Sequence, residues 1–329
     1  DRTPMSTLTL FSPAGALPAA TPLRRAAKRL TAWGFEVSID ADALTRDQRF
    51  AGSDATRLAV FHRIAKAVPD VALATRGGYG CTRLLDQLNW KAIAHSIEHG
   101  TRWVGYSDFT GFQNALIAHA KGLATWSGPL ACSDFGRSEA EGGVDDITQD
   151  CFLEAMSGAL EAVGFRESGA ARGIQPFDGL EARGLLWGGN LTVLCALLGT
   201  PHFPRVKGGV LFLEDVGEHP YRIERMLLQL QQAGVIDAQA AVLLGDFSGW
   251  TRQSTDRGYG LKDAVAALRA RTRTPVLTGL PIGHCATKVC LPVGAKVDLF
   301  VQGREVILGW QSDHRLAHRH AHPDTAHAH

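Results

Sequence analysis

The first half of the chain alternates short apolar runs with amphipathic segments, and this pattern constrains the fold more than any other feature. TLTLF (7–11), FEVSI (35–39), VALAT (71–75) and the run ending at Trp103-Val104 read as strands. Between the first two, Thr21-Pro22 opens a helix as a capping residue followed by proline at the first helical position. Leu23, Ala26, Ala27 and Leu30 share one face of it, and Gly34 ends it. Further helices are expected over 54–68, over CTRLLDQL (81–88) and over 109–121. Strands and helices in this order imply a parallel, doubly wound sheet. Ligands of such sheets bind beyond the carboxyl ends of the strands. The loops SPAG (12–15), RGGYG (76–80) and GYSD (105–108) all follow strand ends, so one crevice is expected among them.

The texture changes around 134–148 and 165–180, which are rich in glycine and polar residues and weakly periodic. Beyond them, LLWGGN, the helix-like LTVLCALLG, GGVLFLED, the amphipathic YRIERMLLQLQQAG, AAVLLGDF and VLTGLPIGH suggest a second, strand-rich α/β domain, closed by KVDLFVQGREVILGW as a β-hairpin. The expected organisation is an N-terminal domain over 1–164, a linker over 165–180, a C-terminal domain over 181–312 and a disordered tail over 313–329. That tail holds six of the 13 histidines.

Lys and Arg number 34 against 33 Asp and Glu, so neither nucleic acid nor an anionic membrane surface is an expected partner. No apolar run approaches the roughly 18 residues of a spanning helix. LTLFSPAGALPAA, broken by serine and proline, is not expected to act as a signal peptide. Six scattered cysteines without a C-x-x-C pair favour reduced thiols in a cytosol.

Several residues suit chemistry. Ser107 follows an apolar strand and Gly105 and precedes a helix. It fits a nucleophile held on a tight strand-to-helix turn, although Phe109 stands where the usual elbow has its second glycine. It equally fits a helix cap. RGGYG lacks the order of a dinucleotide or nucleoside triphosphate loop; it offers backbone N–H donors, or simply a turn. Glu214 and Asp215 end an apolar strand, and His284 ends VLTGLPIGH, so each has a functional reading beside a solvated one. The order Ser107, Glu214, His284 matches nucleophile, orienting acid and base. Cys81, at a helix start, is the rival nucleophile. His62, His95, His99 and His119 read as solvated. No spacing suggests a metal or dinucleotide site.

RGGYG, VGYSDFT, WGGNL, LFLEDVGEHPYRIERML and GLPIGH, in this order, closely resemble the LD-carboxypeptidases (muramoyltetrapeptide carboxypeptidases), from TLTLFSPAG to about Trp310. The resemblance implies a Rossmann-like N-terminal domain, a smaller barrel-like C-terminal domain and a site between them. It implies a cytoplasmic, usually homodimeric serine peptidase of peptidoglycan recycling that removes the terminal D-Ala from murein tetrapeptides, without metal or organic cofactor. Carried over motif by motif, Ser107 is the nucleophile, Glu214 the acid and His284 the base. The backbone N–H groups of Gly78 and Asp108 form the oxyanion hole. Two alternatives stay open: a relative that cleaves peptidyl-adenylates of the microcin C type, and a non-catalytic muropeptide-binding protein.

Overall fold

Leu8 and Leu10 face one side of the strand β1 (Thr7–Phe11) and Phe11 the other, and all three are fully buried. Burial on both faces is what a parallel strand covered by helices on both sides requires. The computed structural model describes residues 6–168 and 176–311. β1 is followed by α1 (Thr21–Ala32), β2 (Glu36–Ile39), α2 (Asp54–Ala67), β3 (Val71–Ala74), α3 (Trp90–Glu98), β4 (Arg102–Val104), α4 (Thr110–His119), β5 (Thr125–Ser127) and α5 (Asp146–Ser157). The five strands are parallel, in the order β5-β4-β3-β1-β2. Because β2 lies on one side of β1 and β3 on the other, the crevice opens beyond the ends of β1 and β3. SPAG and RGGYG meet there. Gly15 N donates to Gly77 O at 3.1 Å, and fully buried Arg57 donates to the carbonyls of Pro13 and Gly80.

The remaining elements are β6 (Ala162–Arg166), β7 (Glu181–Asn190), α6 (Leu191–Leu197), β8 (Val210–Val216), α7 (Pro220–Gln232), β9 (Ala241–Ser248), α8 (Leu261–Arg269), β10 (Val276–Thr278), β11 (Leu291–Val293), β12 (Lys296–Gln302) and β13 (Glu305–Gly309). The second sheet runs β10-β9-β8-β7-β12-β13-β6, parallel through β7 to β10 and antiparallel on the other side. Its two ends approach each other. Ser168 N donates to Thr278 O at 3.3 Å, and Thr278 donates through N and Oγ1 to Glu167 Oε1. The sheet thus curls into the barrel-like form that the resemblance implies.

Several elements depart from the sequence reading. The first helix takes Thr21 inside it, with Ala20 as its cap residue and no side-chain cap; Pro22 lacks an N–H that would need one. CTRLLDQL makes only a 3₁₀ turn over Cys81–Arg83, because Asn89 starts α3 afterwards by accepting from Ala92 N. α5 begins at the end of the weakly periodic stretch 134–148; Asp145 caps it, and Cys151, Phe152, Ala155 and Met156 are buried. β6 begins at residue 162 and pairs with β13 of the second sheet, while β11 returns to pair antiparallel with β5 of the first. Residues 169–175 of the expected linker and the histidine-rich tail from residue 313 lie outside the described residues. His62 and His119 are partnered: His62 Nε2 accepts from Asn89 N, and His119 Nε2 meets His202 Nδ1 at 2.9 Å.

α4, into which Ser107 leads, is fastened to β7 by buried polar contacts. Asn114 Nδ2 donates to Gly188 O at 2.7 Å, Gly188 N donates to Asn114 Oδ1 at 3.2 Å, and Asn190 N donates to Thr110 Oγ1 at 2.9 Å. Gly188 and Gly189 adopt φ of +113° and +123°. A Cβ on Gly189 would stand 2.5 Å from Thr110 Oγ1, so this approach needs glycine. Asn114→Ala would orphan both backbone groups of Gly188 in a dry interface. It should lower unfolding stability by at least about 2 kcal/mol in chemical denaturation, with secondary structure by circular dichroism retained.

Candidate active site

Ser107 has φ +63°, a left-handed conformation that non-glycine residues adopt rarely. It is held there because β4 is followed by Gly105, against which the Phe109 ring folds back; a Cβ on Gly105 would lie 2.8 Å from that ring. Phe109 is buried among Phe11 and Phe112. In place of a second elbow glycine, the chain therefore uses an aromatic anchor packed on the first. The strained turn lifts the partly exposed Ser107 above the sheet at the start of a short 3₁₀ turn that runs into α4. Among the described residues no side chain accepts or donates a hydrogen bond at Ser107 Oγ. It caps nothing, so the capping reading falls away.

RGGYG lies directly against this serine. A Cβ on Gly77 would sit 2.7 Å from Ser107 Oγ and 3.3 Å from Asp108 N, so the missing side chain leaves space over both the hydroxyl and that N–H. Gly78, at φ +95°, is exposed. Its N–H donates to no group among the described residues. The buried Asp108 side chain accepts from Cys81 N at 2.8 Å and so joins the two loops. Burial raises its pKa, opposed by that hydrogen bond.

The same packing disarms Cys81. Burial, and then the neighbouring Asp108, push its thiol pKa well above the ordinary value. A thiol in that state is a poor nucleophile.

Glu214 lies on β8 of the second sheet and His284 on the loop beyond β10. His284 Nδ1 lies 3.0 Å from Glu214 Oε2, with the carboxylate buried and the imidazole partly exposed. Burial raises the Glu214 pKa, while its contacts with His284 and Asn190 pull it down. At Glu214 the register between β8 and β9 shifts, a bulge that re-aims side chains. The loop carrying His284 comes close because Gly245 and Gly283 lack side chains. A Cβ on Gly245 would meet Ile282 O at 2.6 Å, and one on Gly283, at φ +126°, would press on Asp246 and Glu214. Lys288 then staples this loop to the first domain, its buried Nζ donating to Asp134 Oδ1 at 2.5 Å and to Cys285 O. The His284 ring packs edge-on against Tyr106, the residue before Ser107, at 5.0 Å between centroids. His284, held by Glu214, thus lies beside the turn that carries Ser107, the two residues being supplied from separate sheets.

Adjacent Asp215 serves another purpose. Its Oδ2 accepts from Thr192 N and Oγ1 at the start of α6, and its Oδ1 accepts from Asn190 Nδ2 and Val216 N. Asn190 bridges the pair, donating also to Glu214 Oε1 at 3.1 Å. Sequence reading missed this role, although WGGN placed Asn190 in a conspicuous motif. Among the described residues no group of three or more His, Cys, Asp or Glu could hold a metal ion.

A strained serine beside open backbone donors, with a glutamate-held histidine against the preceding Tyr106, is the arrangement of a serine-type hydrolase. The chain belongs to the LD-carboxypeptidase family, whose N-terminal domain matches residues 8–128 and C-terminal domain residues 183–299. It resembles the crystal structure of a muramoyltetrapeptide carboxypeptidase from Oxalobacter formigenes at 37% identity and a TM-score of 0.80, over 92% of this chain and 98% of that one. The murein tetrapeptide carboxypeptidase of Pseudomonas aeruginosa is 31% identical over 87% of this chain and 90% of its own. A microcin C7 self-immunity protein of Escherichia coli is 26% identical over 72% and 74% respectively.

These contacts separate the two acids experimentally. Glu214→Gln should lower kcat by roughly 10³–10⁴-fold, the scale set by removing an orienting carboxylate, with little change in melting temperature. Asp215→Asn should act chiefly on stability, through its bonds to α6. Steady-state kinetics beside thermal unfolding checks both, and the reverse ranking would make Asp215 the orienting acid.

Proposed function

We propose that the enzyme removes the terminal D-Ala from murein tetrapeptides. The observation that carries this reading is the hydrogen-bonded Glu214–His284 pair lying against Tyr106, next to strained Ser107 and the space left by Gly77. The likeness to murein tetrapeptide carboxypeptidases over nearly the whole chain supports the substrate.

In this reaction Ser107 Oγ attacks the carbonyl preceding D-Ala while His284 accepts its proton. The negative charge developing on the carbonyl oxygen is met by the N–H groups of Gly78 and Asp108, fixed in place beforehand and therefore effective without reorganisation. Glu214 fixes the imidazole tautomer and stabilises the imidazolium. His284 then delivers the proton to the departing amine of D-Ala, and water attacks the acyl-enzyme by the same route in reverse.

No metal or organic cofactor takes part. The chain divides into a nucleophile domain over 1–164 and an acid–base domain over 181–312, joined by a linker over 165–180, with β6 and β11 exchanged between their sheets. The enzyme works in the cytoplasm on recycled peptidoglycan fragments, as a homodimer. The six free thiols suit a reducing compartment, and no helix among the described residues is long and apolar enough to cross a membrane.

Murein tetrapeptide ending in D-Ala should release alanine, the same peptide ending in L-Ala should not, and Ser107→Ala should abolish release, a loss on the order of 10⁶-fold in kcat. Mass spectrometry of the products reads all three. Cleavage of an acyl-adenylate with the tetrapeptide left intact would assign the immunity-type activity, and binding without turnover a muropeptide-binding protein.

Attack needs an unprotonated His284 held by an ionised Glu214. Burial raises the Glu214 pKa, so kcat/KM should fall as pH drops. A flat profile from about pH 5 to 8, with chemistry rate-limiting, would count against a histidine base.

A further inference from the structure

Arg76 opens the RGGYG loop and lies half-buried in the crevice. Its Nη1 donates to Ala16 O at 2.8 Å. Cζ and Nε lie 3.5 Å from the place a Cβ would take on Gly15, and Nη2 lies 3.6 Å from the corresponding place on Gly78. The guanidinium is therefore laid against two glycines, one of which supplies a proposed oxyanion donor. A guanidinium has five N–H donors, and among the described residues only this bond to Ala16 takes one.

The nearby carboxylates are engaged elsewhere. Asp54 pairs with Arg57 and Arg83, Asp134 with Lys288, and Glu214 with His284. No carboxylate lies within 4.0 Å of Arg76 among the described residues. The other cations around the crevice are differently placed. Lys288 is buried on Asp134, and Arg49 is exposed, its Cζ 5.8 Å from the Tyr79 ring centre. A cation partly withdrawn from water without a counter-charge is costly to keep, and an arriving anion would offset that cost.

Resting on the carboxypeptidase reading, we propose that Arg76 anchors the free carboxylate of the departing D-Ala and makes the enzyme specific for chain ends. The distances suit this role. Only a nitrogen and a Cα separate the scissile carbonyl carbon from the terminal carboxyl carbon, so the two lie within about 4 Å of each other. A carboxylate anchor must then stand immediately beside the oxyanion donors, as Arg76 does beside Gly78. Its planar fork matches a carboxylate in a way that a lysine ammonium does not. Inverting the last residue would turn the carboxylate away from this fork, which gives the preference for a D-centre a physical origin.

The test compares murein tetrapeptide with the same peptide ending in D-alaninamide, in the native enzyme, Arg76→Gln and Arg76→Lys. The native enzyme should favour the acid on the order of 10²-fold in kcat/KM, the size of a charged hydrogen-bonded contact. Arg76→Gln should bring the acid-to-amide ratio of kcat/KM down close to one. An unchanged acid-to-amide ratio in Arg76→Gln overturns the inference. Should Arg76→Gln be inactive on both peptides, Arg76→Lys decides: a lowered ratio supports the anchor and an unaltered one overturns it. Equal native rates on acid and amide overturn the anchor and leave the serine peptidase standing. Failure of the native enzyme to release alanine from the tetrapeptide overturns the carboxypeptidase reading, and the anchor with it.

Discussion

The docking of α4 on β7 is the contact on which the site depends. Ser107 leads into α4, while Glu214 and His284 are set by β8 and the loop beyond β10, so geometry at the reacting atoms is inherited from how firmly the two sheets are joined. Asn114 and Thr110 join them through buried hydrogen bonds to Gly188 and Asn190. Such bonds are directional, and leaving one unmade in a dry interface is costly. An apolar contact of the same area would tolerate sliding. Asn190 carries the constraint onward, since its backbone meets the nucleophile helix and its side chain meets both acids.

Glycine recurs wherever two parts of the site must approach, for several distinct reasons. Gly77 leaves room over the hydroxyl, Gly105 admits the Phe109 ring, Gly189 admits Thr110, and Gly245 and Gly283 admit the histidine loop. Some of these have positive φ and others do not, so the shared requirement is volume more than backbone freedom. Strain at Ser107 is tolerated because Phe109 and the aromatic cluster beneath it over-determine the turn.

Much of this was legible in the sequence. β1 runs over the predicted residues 7–11, the closing hairpin forms, and Glu214 pairs with His284, whose ring lies against Tyr106 beside Ser107. What was hidden depended on partners far away in the chain. β11 contains Pro292, which reads as a strand breaker; it is tolerated on the outermost strand, where its missing N–H leaves no ladder bond unmade. CTRLLDQL has the composition of a helix, but Asn89 begins one later and the leucines bury themselves from turns. The position of Arg76 beside Gly15 and Gly78 could not be read either, because it arises from two loops more than fifty residues apart.

The path of β6 and β11 bears on how this fold can be taken apart. β6 leaves the first unit to complete the second sheet, and β11 returns from the second to complete the first. Each half thus borrows an outer strand from the other, like two hands with fingers interlaced. A chain cut after α5 would leave the edge of β5 uncovered, its backbone donors and acceptors open to pairing with another molecule. The halves cannot be exchanged as modules between relatives without carrying these borrowed strands along. The segment that crosses back also follows directly from the His284 loop, so this histidine is carried on the chain that locks the two halves together.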